Sequence, residues 1–212
     1  VTLPELVDRI ERMSARQSVV VIGIVGAPGV GKTTLAEQLK ASLNRDESDP
    51  EQQRFAHIPL DGFHLSDQEL TRLGLLERKG APGTFDAYGY AALLKRLREP
   101  RDSAVYAPGF ERTIEQPMAG VIPVYPSVRT VITEGNYLLL DRPGWREVRA
   151  QCTEVWYCEQ DEERRLERLT QRHILFGKSH AAAAEWVERV DESNARLIEA
   201  TKSRADLVVR VE

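Results

Sequence analysis

Hydrophobic positions along the chain fall into two alternating patterns. Residues 18–26, "SVVVIGIVG", form an unbroken β-branched run, the pattern of a strand buried on both faces of a parallel sheet. The next stretch, "GKTTLAEQLKASL", changes period and places Leu35, Leu39 and Leu43 on one helical face. A short strand over 55–60, a helix near 67–77 and a helix carrying Leu93, Leu94 and Leu97 come next, the last with Asp86 as its N-cap. Prolines and glycines break residues 103–127 into short apolar pieces, which predicts hairpin-like excursions beside the main sheet. "VRTVITEGNYLLL" and "TEVWYCE" are again buried strands, then come the charged helix "QDEERRLERLTQRH", an alanine-rich helix over 181–200 and a last strand, "ADLVVRV". Strands alternating with helices predict an α/β fold with a mainly parallel sheet. No repeat or interdomain linker interrupts residues 1–212, so one domain is expected. "NRDESDPEQQR" reads as a charged surface loop.

At the first strand–helix junction, "GAPGVGKTT" fits the pattern G-x-x-x-x-G-K-[ST], with Gly26, Gly31, Lys32 and Thr33 at the fixed positions. Glycines let backbone N–H groups turn inward around phosphate oxygens, and the helix after them points its positive end at the same place. The cradle is therefore Gly26, Ala27, Pro28, Gly29, Val30, Gly31, Lys32, Thr33 and Thr34. Lys32 is placed to reach the β- and γ-phosphates and the Thr33 hydroxyl to ligate Mg²⁺. The ligand implied is a nucleoside triphosphate. An N-K-x-D guanine reader, the "LSGGQ" of transporter ATPases and the upstream lysine of partitioning ATPases are all missing from the sequence, which weakens a switch or motor role.

Two acids end apolar strands downstream of the cradle. Asp61, in "PLDGFH", stands at an ordinary Asp-Gly turn signal, but an aspartate here is also able to accept or orient a hydroxyl proton. Glu134, in "TVITEGN", is either a cap or salt-bridge residue or a ligand of Mg²⁺, direct or through water. On the charged helix, Arg168 and Arg172 lie one turn apart on one face, before "FGKSH". Arg164 and Arg165 are read as solvent-facing, with Glu163 and Glu167 as available partners.

The order of "GAPGVGKTT", "LDGFH", "TEGNYLL" and "RRLERLTQRH" resembles the family of uridine kinase, phosphoribulokinase and bacterial pantothenate kinase. The likeness runs over nearly the whole chain after the first helix and looks closest to the bacterial branch described as fructose transport system kinases. It implies the P-loop NTP hydrolase fold, with five mainly parallel strands flanked by helices and an arginine-containing lid over about 162–182. It also implies ATP with Mg²⁺, Asp61 as base toward an acceptor hydroxyl, Glu134 at the metal, and Arg168 and Arg172 closing over the phosphates. "ERKGAPGTFD" is similar to a stretch near the acceptor pocket of pantothenate kinases, which makes Arg78, Lys79 and Phe85 candidate substrate contacts, as are His64, Tyr106 and Arg112. Asn194 faces nucleotide, acceptor or solvent. Ala107-Pro108-Gly109-Phe110 departs from the P-x-Y-D-type stretch of uridine kinases, which puts nucleoside specificity in doubt and leaves a fructose-like sugar as the leading acceptor. A nucleoside or pantothenate kinase, a regulatory NTPase and a nucleotide-binding protein without turnover are the competing functions.

Bulk properties narrow the partners. A formal charge of −4 argues against nucleic-acid binding through overall positive charge. With 42% hydrophobic and 29% charged residues the balance is that of a soluble globular protein. No apolar stretch approaches the ~18 residues of a membrane span. "TLPELVDRIERM" reads as an amphipathic helix within residues 1–16, with Thr2 and Glu5 as a capping box and Leu6, Ile10 and Met13 on one face, rather than a signal peptide. Cys152 and Cys158 are expected to be buried free thiols, and the cytoplasm is the default compartment. The oligomeric state stays open, a homodimer included.

Overall fold

Helix α1 (Leu3–Ser14) begins at Thr2, whose backbone N–H donates to Glu5 Oε2 at 2.7 Å, half of the predicted capping box. Strand β1 (Val20–Val25) is buried at every position, as its β-branched run requires. Helix α2 (Lys32–Leu43), strand β2 (Phe55–Pro59), helix α3 (Asp67–Leu73) and helix α4 (Ala87–Arg98) come next, and the Asp86 side chain caps α4 by accepting from Gly89 N–H at 2.8 Å. The proline- and glycine-punctuated region forms an antiparallel hairpin, β3 (Val105–Glu111) and β4 (Gln116–Val124). Strand β5 (Thr130–Glu134), helix α5 (Trp145–Gln151), strand β6 (Glu154–Glu159), helices α6 (Glu162–Leu175), α7 (His180–Trp186) and α8 (Glu192–Glu199), and strand β7 (Leu207–Arg210) complete the order. The structure is a computed structural model that describes residues 1–44, 49–177 and 179–211. Part of the predicted charged loop, residues 45–48, and Lys178 of the predicted lid lie outside the described residues.

The main sheet has the order β2-β5-β1-β6-β7 with every pair parallel. Alternation along β1 feeds two cores. Val20, Ile22 and Ile24 pack with Leu6 and Ile10 of α1 and Leu35 and Leu39 of α2, while Val21 and Val25 pack with Leu94 and Leu97 of α4 and Val148 of α5. Each fully buried Val or Ile contributes about 1.5–3 kcal/mol, so this strand fixes the centre of the sheet. The chain leaves β1 toward β2 on one side and returns through β6 and β7 on the other. The crevice at the carboxyl ends of the strands beside β1 is therefore where a ligand binds in such a sheet.

Two elements differ from expectation. Helix α3 stops at Gly74, whose left-handed φ of 67° ends it, and a separate 3₁₀ turn covers Leu76–Arg78. The alanine-rich helix is interrupted by a π turn, Val187–Asp191, between α7 and α8. Its i→i+5 bonding adds a residue to the turn and so rotates the side chains of α8 about the axis relative to those of α7. Both cysteines are free and buried, with thiols pushed up to about 12 chiefly by burial.

Candidate active site

The cradle turns from β1 into α2 through two left-handed glycines, Gly29 (φ 83°) and Gly31 (φ 94°). A Cβ at Gly29 would also meet the carbonyl oxygen of Arg165 at 3.0 Å, so only glycine lets α6 lie this close. Val30 is buried in the α1–α2 core, and the Pro28 carbonyl accepts from Arg165 Nη1 at 3.2 Å. Lys32 is buried, and its Nζ donates to the carbonyls of Gly26 at 2.9 Å and Ala27 at 3.1 Å. Burial pulls its ammonium pKa down, against the pull of Glu134.

Parallel pairing of β5 with β1 and β2 sets Glu134 beside the cradle, opposite Ile24 and Pro59. Its Oε1 accepts from Thr33 Oγ1 at 3.2 Å. Burial first, then the charge of Asp61, pushes the Glu134 carboxyl up to about 7, although Lys32 and the Thr33 hydrogen bond oppose the shift. His57 of β2 approaches the same oxygen, with Nε2 3.9 Å from Oε1, yet that buried nitrogen has no hydrogen-bond partner. Burial and then Lys40 hold His57 down at about 4, so at neutral pH the imidazole is neutral and the contact is not a salt bridge. A hydroxyl and a carboxylate oxygen converging beside a buried lysine fit a hard cation carried on phosphates, whose preferred ligands are oxygens. The residues present thus fit Mg²⁺ with a nucleoside triphosphate.

Asp61 lies in a 3₁₀ turn, Leu60–Phe63, directly after β2. Its side chain is 42% exposed, with Oδ2 3.6 Å from Arg112 Nη2. Gly62 does not owe its place to a left-handed turn. A Cβ there would collide with the backbone carbonyl of Pro108, so the glycine admits strand β3 against the turn. His64 Nδ1 lies 2.9 Å from the Asp61 carbonyl oxygen, and its ring meets those of Phe85 and Phe110 at a tilt, with centroids 4.0 and 5.0 Å away. Burial lowers the His64 pKa.

Two adjoining spaces collect these groups. A cleft of about 190 Å³ is lined by Gly29, Gly31, Lys32, Thr33, Thr34, Arg168 and Arg172. A cavity of about 490 Å³ is lined by Asp61, His64, Lys79, Arg112 and, again, Arg172, among others. The Lys79 ammonium is held by Asp67 Oδ1 at 2.6 Å and by the Glu115 carbonyl. The remaining candidates lie elsewhere. Arg78 is exposed on its 3₁₀ turn, Tyr106 is 62% exposed on the hairpin, Asn194 is half-buried on α8, and none of them lines either space. Phe85 is buried against Tyr137 and Trp145 and meets the cavity only through His64. A larger groove, about 730 Å³, runs by α1, α2 and the amino ends of β2 and β5, at the other end of the strands from the cradle.

Arg165 corrects the sequence reading. Rather than facing solvent it is 6% exposed, with Nη2 2.5 Å from Glu192 Oε1 and Nη1 on the Pro28 carbonyl. The signal was its spacing: Arg165 is four residues before Leu169, the buried apolar residue of α6, and so shares its face. Arg164 is exposed as expected. Spacing gave no sign of His57 beside Glu134.

A phosphate cradle after the central strand, carboxylates just after β2 and at the end of β5, and arginines from one helix facing both spaces define a P-loop kinase of small molecules. Comparison with known proteins agrees. A Schizosaccharomyces pombe protein whose uridine kinase name is provisional is 32% identical over 217 residues, 97% of this chain and 89% of its own length. A pantothenate kinase of Mycolicibacterium vanbaalenii is 32% identical over 124 residues, 58% of this chain and 38% of its own. The crystal structure of a Silicibacter sp. TM1040 protein, provisionally a fructose transport system kinase, superposes with a TM-score of 0.86 at 38% identity, covering 99% of both chains. No family model matches the chain. The chain belongs to the P-loop kinases that include uridine kinase-like proteins and pantothenate kinases, a family of small-molecule phosphotransferases. Among the described residues no helix is long and apolar enough to cross a membrane.

Proposed function

We propose that this kinase transfers the γ-phosphoryl group of ATP to a hydroxyl of a small metabolite, a sugar of the fructose type, within one domain whose lid spans about 162–182. The observation that carries the proposal is the position of Arg172, which lines both the phosphate cleft and the cavity that holds Asp61. Lys32 and the cradle N–H groups hold the phosphates, and Thr33 and Glu134 hold Mg²⁺. The metal supplies charge neutralisation on the phosphate oxygens. Asp61 accepts the acceptor's proton as its oxygen attacks, with Arg112 Nη2 3.6 Å from its Oδ2 to orient the carboxylate. Arg168 and Arg172 stabilise charge developing on the transferred group.

The cavity chemistry favours a neutral polyhydroxyl acceptor. Asp61, Asp67, Glu77 and Glu115 supply acceptors for hydroxyl groups, and Phe110, Phe176 and Trp186 add apolar lining. Lys79 is already committed to Asp67 and Glu115. The name of the Silicibacter relative supports the same acceptor class. A nucleoside or pantothenate acceptor is the second reading, favoured by the names of the curated relatives. Buried free thiols are in keeping with a reducing, cytoplasmic setting.

An ADP-release screen over sugars, nucleosides and pantothenate tests the proposal. Turnover should be low with Mg·ATP alone and rise with one hydroxylated compound. Hydrolysis that no compound accelerates would favour a regulatory NTPase instead.

A further inference from the structure

His173 and Asp191 form a pair that the roles above leave unused. Their atoms His173 Nε2 and Asp191 Oδ2 are 2.8 Å apart, and the two side chains are 16% and 12% exposed. His173 sits next to Arg172 on α6, and Asp191 closes the π turn before α8. The ring of His173 lines the same cavity as Asp61, together with Phe176 and Trp186. The carboxylate only accepts, so the Nε2 proton is committed to Asp191. The other ring nitrogen, Nδ1, has no hydrogen bond to any described residue.

We propose that His173, its ring orientation fixed by Asp191, binds a second hydroxyl of the acceptor and thereby selects compounds with at least two hydroxyl groups. One hydroxyl is addressed by Asp61 and phosphorylated; the other rests on His173 Nδ1. A hydroxyl suits this place because it both donates and accepts. It satisfies Nδ1 in the neutral ring and in the imidazolium, whereas a carboxylate would match only the latter. The lid helix then presents phosphate-facing arginines and an acceptor reader from neighbouring positions, so acceptor binding and placement of Arg172 are joined in one element. The inference rests on the kinase proposal and narrows its substrate to a diol or polyol.

The test compares wild type, His173→Gln and Asp191→Asn in steady-state assays with Mg·ATP and D-fructose, uridine, pantothenate or the monohydroxy acid D-lactate. Glutamine places its amide where Nε2 lies, so it keeps the bond to Asp191 and loses Nδ1. For the polyhydroxyl compound that wild type phosphorylates, kcat/KM should fall at least about tenfold in both variants, the loss of one hydrogen bond at the site. The Michaelis constant for ATP should move by less than about twofold, and D-lactate should not react. Unchanged acceptor kinetics in His173→Gln, or an equal loss in the ATP constant, would reduce the pair to a latch between α6 and the π turn. Phosphorylation of D-lactate would overturn the substrate class alone. Transfer by wild type to none of the four would remove the kinase proposal and the reader role with it.

Discussion

Replacing Glu134 by Gln should stabilise the fold while weakening its hold on the metal. The carboxyl has an ordinary value of 4.5 and is raised to about 7 in the fold, chiefly by burial and then by Asp61. At about 1.4 kcal/mol per pH unit, ionising it in place costs about 3 kcal/mol. The sign comes from proton affinity. The folded state binds this proton more tightly than the unfolded chain, so the full benefit is present below 4.5 and is lost as pH rises through 7. Gln cannot ionise, and its carbonyl still accepts from Thr33. Its advantage over Glu should therefore be about 2 kcal/mol larger at pH 8 than at pH 5 in urea unfolding without Mg²⁺. His57, held down at about 4, is present in both proteins and largely cancels in the difference. An advantage independent of pH, or a variant less stable at pH 8, would refute a destabilised carboxylate at this position.

Asp61→Asn should keep ATP binding while turnover falls by at least ~10²; near-normal turnover would leave Asp61 a turn residue. Arg168→Ala should slow single-turnover transfer by on the order of 10³ while changing ATP affinity much less, and unchanged single-turnover rates would remove its role over the phosphates. Arg165→Met strands Glu192 and frees the Pro28 carbonyl, and should cost about 3–5 kcal/mol in chemical denaturation, most of it recovered in Arg165→Met/Glu192→Leu.

The sheet and the cradle were legible because they are local. The run 18–26 announces a doubly buried strand, and the glycine spacing at 26–31 encodes a backbone path that few other residues can take. Asp61 and Glu134 were also legible as strand-end acids. What escaped is set by register and by distant packing. His57 meets Glu134 only because β2 and β5 pair in parallel with Pro59 opposite Glu134, an alignment no single strand specifies. His173 and Asp191 are eighteen residues apart across a π turn whose sequence looks like ordinary helix. Arg165 was misplaced because a charged helix suggests solvated faces, although its i,i+4 relation to Leu169 put it on the buried one. Gly62 read only as half of an ordinary Asp-Gly turn signal, because the approach of the Pro108 carbonyl that requires it is a tertiary fact. Arg78 and Tyr106, candidates by motif position, are not among the residues lining either space, a matter of tertiary placement that motif position does not carry.

The central claim is transfer to a hydroxyl rather than to water, and ³¹P NMR of the Mg·ATP reaction with the best compound from the screen measures it directly. A phosphomonoester resonance growing one-for-one with ADP, and reduced by at least ~10² in rate in Asp61→Asn, is the predicted result. Inorganic phosphate as the only new product, formed at the same rate with or without the compound, would contradict it.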